Sequence, residues 1–287
     1  MRAADGFRVG TLAVQELRAA ADDPNPCVPT GLIDLDSAVD GGLPPSSVTV
    51  LFGRAGERAS ALATTLAGNA AHAGVPTLVM SWECPVPEVA RRLHAASVRA
   101  PLTVNAGASS VRDLRETVVA WRGTHTGLGL LVLHGLPRLI RRADHGPDGS
   151  WDEHARLSAQ IKSLAHETGA TVVLTAPITR AAARGWARDA LPDVAYSPAY
   201  VSDADVVIAL PDHGPGDYLL VLKSKLTAPD AFLVQRDQFT GRFVDAPANH
   251  PEVRPRRAVQ GTIVRAARPR AHPGPSDSAG PPRRSWA

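Results

Sequence analysis

Three things are scarce in this chain of 287 residues: cysteine, lysine and long apolar runs. The two cysteines, Cys27 and Cys84, form no Cys-x-x-Cys pair. A disulfide framework and a structural zinc site are therefore not expected. Three lysines, Lys162, Lys223 and Lys225, stand against 28 arginines. A bias of that size tracks genome composition, so a single arginine carries little argument by its type alone. No apolar run approaches the roughly 18 residues needed to cross a bilayer, and no membrane partner is expected. A soluble protein in a reducing cytoplasm is the default expectation.

What is present is a hydrophobic fraction of 44%, enough to build the core of one large domain or two small ones. The net charge of +3 is unevenly placed. From Pro247 to Ala287 eight arginines face Glu252 and Asp277, which leaves a surplus of +6 there and about −3 in the remainder. Composition divides the chain into three parts. Residues 1–27 form an arm with one weak amphipathic helix, Thr11 to Ala21, ended by the breaker cluster DDPNP. Residues 28–246 carry the folding pattern. Residues 247–287, rich in Pro, Gly, Ala and Arg without periodicity, read as a disordered basic tail. Its arginines suit an acidic partner or nucleic-acid phosphates, and a solubilising tail is the alternative.

The stretch Val48 to Glu83 organises the central part. VTVLF is a buried-strand run, GRAGERAS a loop, and an alanine-rich segment ending at Gly74 a helix. TLVMS is a second strand that delivers Trp82 and Glu83. A working phosphate loop, G-x-x-x-x-G-K-[ST], uses glycines for close backbone approach, a lysine for the β and γ oxygens, and a hydroxyl for Mg²⁺. Here the eight positions are Gly53, Arg54, Ala55, Gly56, Glu57, Arg58, Ala59 and Ser60. Gly53 and Ser60 keep the pattern, whereas the second glycine is Arg58 and the lysine is Ala59. Gly53, Arg54, Gly56, Arg58, Ala59 and Ser60 are the candidate nucleotide-binding residues; an ordinary strand-to-helix turn is the plain alternative.

Landmarks on either side carry a family resemblance. The segment Pro29, Thr30, Gly31 through Leu35 and Asp36, then Gly41, Gly42, Leu43, Pro44 and Pro45, is similar to the start of the RecA-type ATPase domain of DnaB-type hexameric replicative helicases. Ser81, Trp82, Glu83, Cys84 and Pro85 resemble that family's S-L-E-M-P, which implies Glu83 as the base that polarises water. LGLLVLHGL resembles its I-x-x-I-D-Y-L-Q-L strand, with the magnesium-associated aspartate falling on His134. A neutral histidine cannot replace a carboxylate near Mg²⁺, so His134 reads as the end of a core strand. ATVVLTAPITRAA resembles V-x-A-L-S-Q-L-N-R, in which the phosphate-sensing glutamine becomes Pro177 and Arg180 is kept.

Further on, Asp193, Ser197, Asp203, Ala204 and Asp205 match a segment whose polar centre lines the family's DNA channel, but the centre itself is Ala195, Tyr196, Ser197 and Pro198. The family's K-x-R finger, which reaches a neighbouring subunit's nucleotide, falls on Lys223 and Lys225. The resemblance spans Val28 to Asp245. It implies a RecA-like P-loop NTPase fold: an α/β protein with a mostly parallel central sheet flanked by helices. It also implies ATP and Mg²⁺ as cofactors, DNA or a helicase or other replication protein as partner, and a homo-oligomeric ring. The amino-terminal helical domain that recruits primase in the family is expected to be missing. Arg138, Arg141 and Arg142, at the end of the LLVLH strand, and Arg180 are the candidate DNA contacts.

The losses at Arg58, Ala59, His134 and Pro177 all fall on the nucleotide site, while the strands stay apolar. That pattern points to a non-catalytic or impaired ATPase acting as a binding module. An active helicase domain using Arg54 or Arg58 for the phosphates is the alternative, and a protein-only scaffold is a third. Helices are expected over Leu32–Val39, Pro87–Val98, Val111–Arg122 and His154–Thr168, and two closing strands joined by a turn between Tyr218 and Phe243.

Overall fold

The computed structural model describes residues 27–53, 57–95, 98, 100–105, 108–141, 151–177, 197–210 and 217–247, the side chains of Glu57 and Arg141 excepted. The helix expected over Thr11–Ala21 and the tail beyond Pro247 lie outside them.

One nine-stranded sheet runs in the order β3-β2-β4-β5-β1-β6-β7-β8-β9. Its strands are β1 (Val48–Gly53), β2 (Thr77–Ser81), β3 (Thr103–Asn105), β4 (Leu130–His134), β5 (Thr171–Pro177), β6 (Val206–Leu210), β7 (Asp217–Ser224), β8 (Asp230–Arg236) and β9 (Phe243–Asp245). The first six pair in parallel, and β7 to β9 close the sheet antiparallel. Apart from β3, the parallel strands are buried along almost their whole length and mostly apolar, with a few threonines, because both faces are covered by helices. Along β1, Val48, Val50 and Phe52 enter one core layer while Leu51 enters the other.

The first layer packs under α4 (Val111–Gly123), α6 (Trp151–Thr168) and α7 (Ala199–Asp203), which supply Leu114, Val118, Leu157, Ile161 and Tyr200. The second lies under α1 (Ile33–Ala38), α2 (Glu57–His72) and α3 (Val86–Ala95), with Leu35, Leu62, Leu66 and Val89. A short α5 (Arg138–Arg141) follows β4 directly, where the sequence reads as the start of a long loop. The expected helices are found with small shifts of their ends, α6 beginning three residues before His154. The closing segment holds three strands instead of two, since Phe243 is buried in the second layer and its N–H donates to Thr65 Oγ1 on α2 at 3.1 Å.

The Pro-Thr-Gly segment has a structural task. The Asp36 carboxylate accepts from the N–H groups of Thr30 (2.8 Å) and Gly31 (3.3 Å), and Asn69 of α2 donates to Thr30 O at 2.8 Å. Gly31 has φ +71° and lies so close to Asn69 that an added Cβ would meet its side chain at 2.7 Å. Only glycine fits there.

Candidate functional site

Parallel α/β sheets gather ligands at the carboxyl ends of their strands. At that edge β1 ends in Gly53 and α2 begins at Glu57. Ala59, in the first turn of α2, is 7% exposed, and its Cβ stands 3.3 Å from where a Cβ on Gly53 would lie. The position expected to hold a lysine is thus a small apolar contact between helix and strand. Arg58, one residue earlier, turns to β7 and pairs with the carboxylate of Asp217, both side chains being partly buried. Ser60 is buried and its Oγ donates to Glu83 Oε2 at 3.0 Å.

Glu83 is carried by the end of β2. Trp82 is anchored through its N–H to His134 O (2.9 Å) and its indole Nε1 to Ala108 O (2.9 Å), while Cys84 N donates to Ser81 Oγ at 3.0 Å as the chain turns into α3. Gly135 passes beneath with φ +69°, and an added Cβ would lie 2.9 Å from Glu83 Cβ. The glutamate therefore stands exposed above β4, beside the first turn of α2.

His134 ends β4 fully buried, and its Nε2 has no hydrogen-bond partner among the described residues. Burial, and then the nearby charge of Arg92, push its pKa down to about 4. At neutral pH it is an uncharged imidazole and supplies no negative charge to a cation. Pro177 sits beside Gly53 in the β1–β5 register and offers no side-chain donor. No group of three or more His, Cys, Asp or Glu among the described residues is placed to hold a metal ion.

The finger positions lie elsewhere. Lys223 Nζ donates to Val201 O and Ser202 O, each at 2.9 Å, at the end of α7. Burial, then repulsion from Lys225, lower its pKa. Lys225 pairs with Asp205 Oδ1 at 2.5 Å, and Lys162 of α6 pairs with the other oxygen of the same carboxylate. Asp205 Oδ2 also accepts from Val48 N at 2.8 Å, and Asp205 N donates to Val48 O at 2.8 Å. Burial alone would raise the pKa of Asp205, but the bonds from Lys162, Lys225 and Val48 hold it below the ordinary carboxylate value. All three lysines of the chain thus meet at the start of β1 and β6. Gly53 is at the other end of β1, roughly 16 Å away at about 3.3 Å per residue.

Solved structures share this architecture. One solved ATPase domain superposes with a TM-score of 0.69 at 15% identity, over 82% of this chain and 96% of that one. A DnaB-like replicative helicase, solved with its interactions with primase, gives 0.68 at 15% identity over 82% of this chain and 65% of its own. The KaiC-like protein PH0186 from Pyrococcus horikoshii OT3 gives 0.60 at 15% identity over 78% of this chain and 100% of that one. The chain has the RecA-like fold of DnaB-type helicase ATPase domains. No protein-family model matches it, and no curated protein does. At this identity the likeness is one of fold, and the chain spans just under two thirds of the DnaB-like helicase.

Within this RecA-like fold, Gly53, Arg58, Ala59, Ser60 and Glu83 converge at the carboxyl edge. Arg54 and Gly56 lie outside the described residues. Lys223 and Lys225 stand at the opposite edge, so one chain does not bring them to Glu83. Arg138 is exposed on α5 and Arg141 ends that helix, whereas Arg142 and Arg180 fall outside the described residues, as do Asp193, Ala195 and Tyr196. Two residues at the site carry no motif. Asp217 meets Arg58 across 159 positions of sequence, and Arg236 comes from the end of β8. With Gln238 these side chains line a cavity of about 270 Å³ beside the first turn of α2. Only the fold places them together.

Proposed function

We propose that this chain is a non-catalytic or impaired ATPase on a DnaB-like RecA fold, serving DNA replication or DNA metabolism as a module that binds DNA or a helicase-associated protein. The observation that carries this reading is the placement of the lysines: all three lie around Asp205 and α7, so no ammonium reaches the carboxyl edge. The neutral His134 supports it, because a Mg²⁺-bound triphosphate needs a carboxylate near that strand end and a cation at the loop. Among the described residues, Ser60 and Glu83 offer such a ligand a hydroxyl and a carboxylate but no lysine. The neighbour solved with primase supports replication proteins as the partner class, and homo-oligomers and a cytoplasmic setting belong to the same proposal. Arg138, Arg141, Arg142, Arg180 and the basic tail are the proposed DNA contacts.

The test is ATP turnover and binding of a fluorescent ATP analogue with Mg²⁺ by the full chain. No hydrolysis stimulated by single-stranded DNA is expected, and Ala59→Lys strengthens nucleotide binding. Turnover that rises with single-stranded DNA and disappears in Glu83→Gln overturns the proposal. It would favour a second reading, an ATPase with an unusual site, for which the 3.0 Å contact between Ser60 and Glu83 is the supporting observation. DNA binding is checked separately by its steep fall with salt and its weakening when the tail is cut at Pro247. A stable protein complex without either property favours the protein-only scaffold.

A further inference from the structure

The helix α1 is six residues long and the strand β9 three, so neither element holds its shape alone. Leu32, at the cap position of α1, supplies no side-chain hydrogen bond. The cap comes from the far end of the fold instead: Asp245 Oδ2 on β9 accepts from Ile33 N at 3.0 Å, across 212 positions of sequence. Asn69 of α2 joins the same two segments. Its Nδ2 donates to Thr30 O at 2.8 Å, and its Oδ1 accepts from Arg242 Nη2 at 3.0 Å, one residue before β9. Thr30 N donates to the carboxylate of Asp36 inside α1, and Phe243 N of β9 donates to Thr65 Oγ1 of α2. Leu35 of α1 and Phe243 of β9 are both buried in the second core layer.

We propose that α1 and β9 form one clasp that opens and closes as a unit, with Asp245 and Asn69 as its fastenings. Local opening proceeds through contiguous cooperative units, and two marginal elements that share their partners make one such unit. The consequence is regulatory. The chain enters α1 shortly after the arm of residues 1–27 and leaves β9 at the start of the tail of residues 247–287, so a partner that strains either end loosens both through one coupling. The inference is independent of whether ATP is turned over. Asp245 also opposes the clasp it fastens. Burial raises the pKa of Asp36, the bonds from Thr30 and Gly31 lower it, and the charge of Asp245 raises it again. Asp245→Asn keeps an acceptor for Ile33 N and removes that repulsion.

The experiment is amide hydrogen exchange of the full chain followed residue by residue by NMR, comparing wild type with Asp245→Ala, Asp245→Asn and Asn69→Ala after circular dichroism has established that each is folded. The reporters are the amides of Asp36 and Val39, which bond within the α1 segment to Leu32 O and Leu35 O and touch neither mutated side chain, and that of Phe243. Val132, paired on both sides in the middle of the sheet, is the reference. In Asp245→Ala, Asp36 and Val39 are expected to exchange about fivefold faster or more, with Val132 unchanged. Asp245→Asn is expected to exchange no faster than wild type, and Asn69→Ala to speed Asp36, Val39 and Phe243 together. No change in Asp245→Ala, or one confined to Ile33, overturns the proposal, as does an equal change at Val132. So does Asp245→Asn exchanging as fast as Asp245→Ala. Asn69→Ala carries the same decision by itself: faster exchange on only one of the two elements means that they open separately.

Discussion

Ser60 Oγ and Glu83 Oε2 are 3.0 Å apart, so the hydroxyl of the loop pattern and the carboxylate at the end of β2 are joined to each other. The bond ties α2 to the end of β2 at the solvent edge. Because Glu83 is exposed, water replaces the lost partner when either group is removed. Ser60→Ala and Glu83→Gln are each expected to cost no more than about 1 kcal/mol in urea unfolding. Neither is expected to move ATP turnover from background, which a coupled phosphate-release assay checks.

Asp205 holds a larger share of stability. Its carboxylate takes bonds from Lys162, Lys225 and the start of β1 in a largely buried place. Asp205→Ala leaves Lys162 and Val48 N without their partner and is expected to destabilise the fold by about 3 kcal/mol. Lys225→Ala removes a side chain that is 59% exposed, and less than about 1 kcal/mol is expected. Urea denaturation of the two variants separates these values.

His134 makes stability depend on pH. Its folded-state pKa is lowered from 6.5 to about 4 by burial and by Arg92. Below 6.5 the unfolded chain binds a proton at this imidazole while the folded chain does not, so stability falls as pH drops towards 4 and is unaffected by this group above 6.5. The loss across that window is on the order of 3 kcal/mol. Unfolding free energies from pH 7.5 to 4.5 check it, and His134→Leu is expected to flatten that part of the profile.

Gly135→Ala is expected to destabilise the protein by about 2 kcal/mol. The substitution combines a φ of +69° with a Cβ only 2.9 Å from that of Glu83. Thermal unfolding measures the cost, and a Glu83→Gly background, which removes the opposing Cβ, recovers only part of it.

The elements legible from sequence are those with a local cause. VTVLF, TLVMS and LLVLH are apolar runs long enough to be buried strands, and Gly74 marks the end of α2 by its type. The elements missed are held by distant partners. β9 is three residues long and is fixed by Phe243 against Thr65 of α2. The five-residue α7 is held to α6 by Tyr200 against His154 at 3.0 Å and by Ser158 donating to Asp203 at 2.6 Å. The loop pattern located Ser60, and the resemblance located Glu83, since both sit where a strand gives way to a helix. Nothing local announces that Arg58 turns to Asp217 or that the lysines share Asp205, because these pairings join residues brought close only by the stacking of strands.

The sheet ends on both sides in strands of three residues, β3 and β9. Such stubs expose few unpaired backbone groups, and on one of them the Asp245 side chain is already spent on Ile33 N at 3.0 Å. Template-like growth by an incoming strand, the route by which open sheets fuse or fibrillise, has little to grip here. Contact at these two stubs therefore depends on side-chain identity more than on backbone pairing.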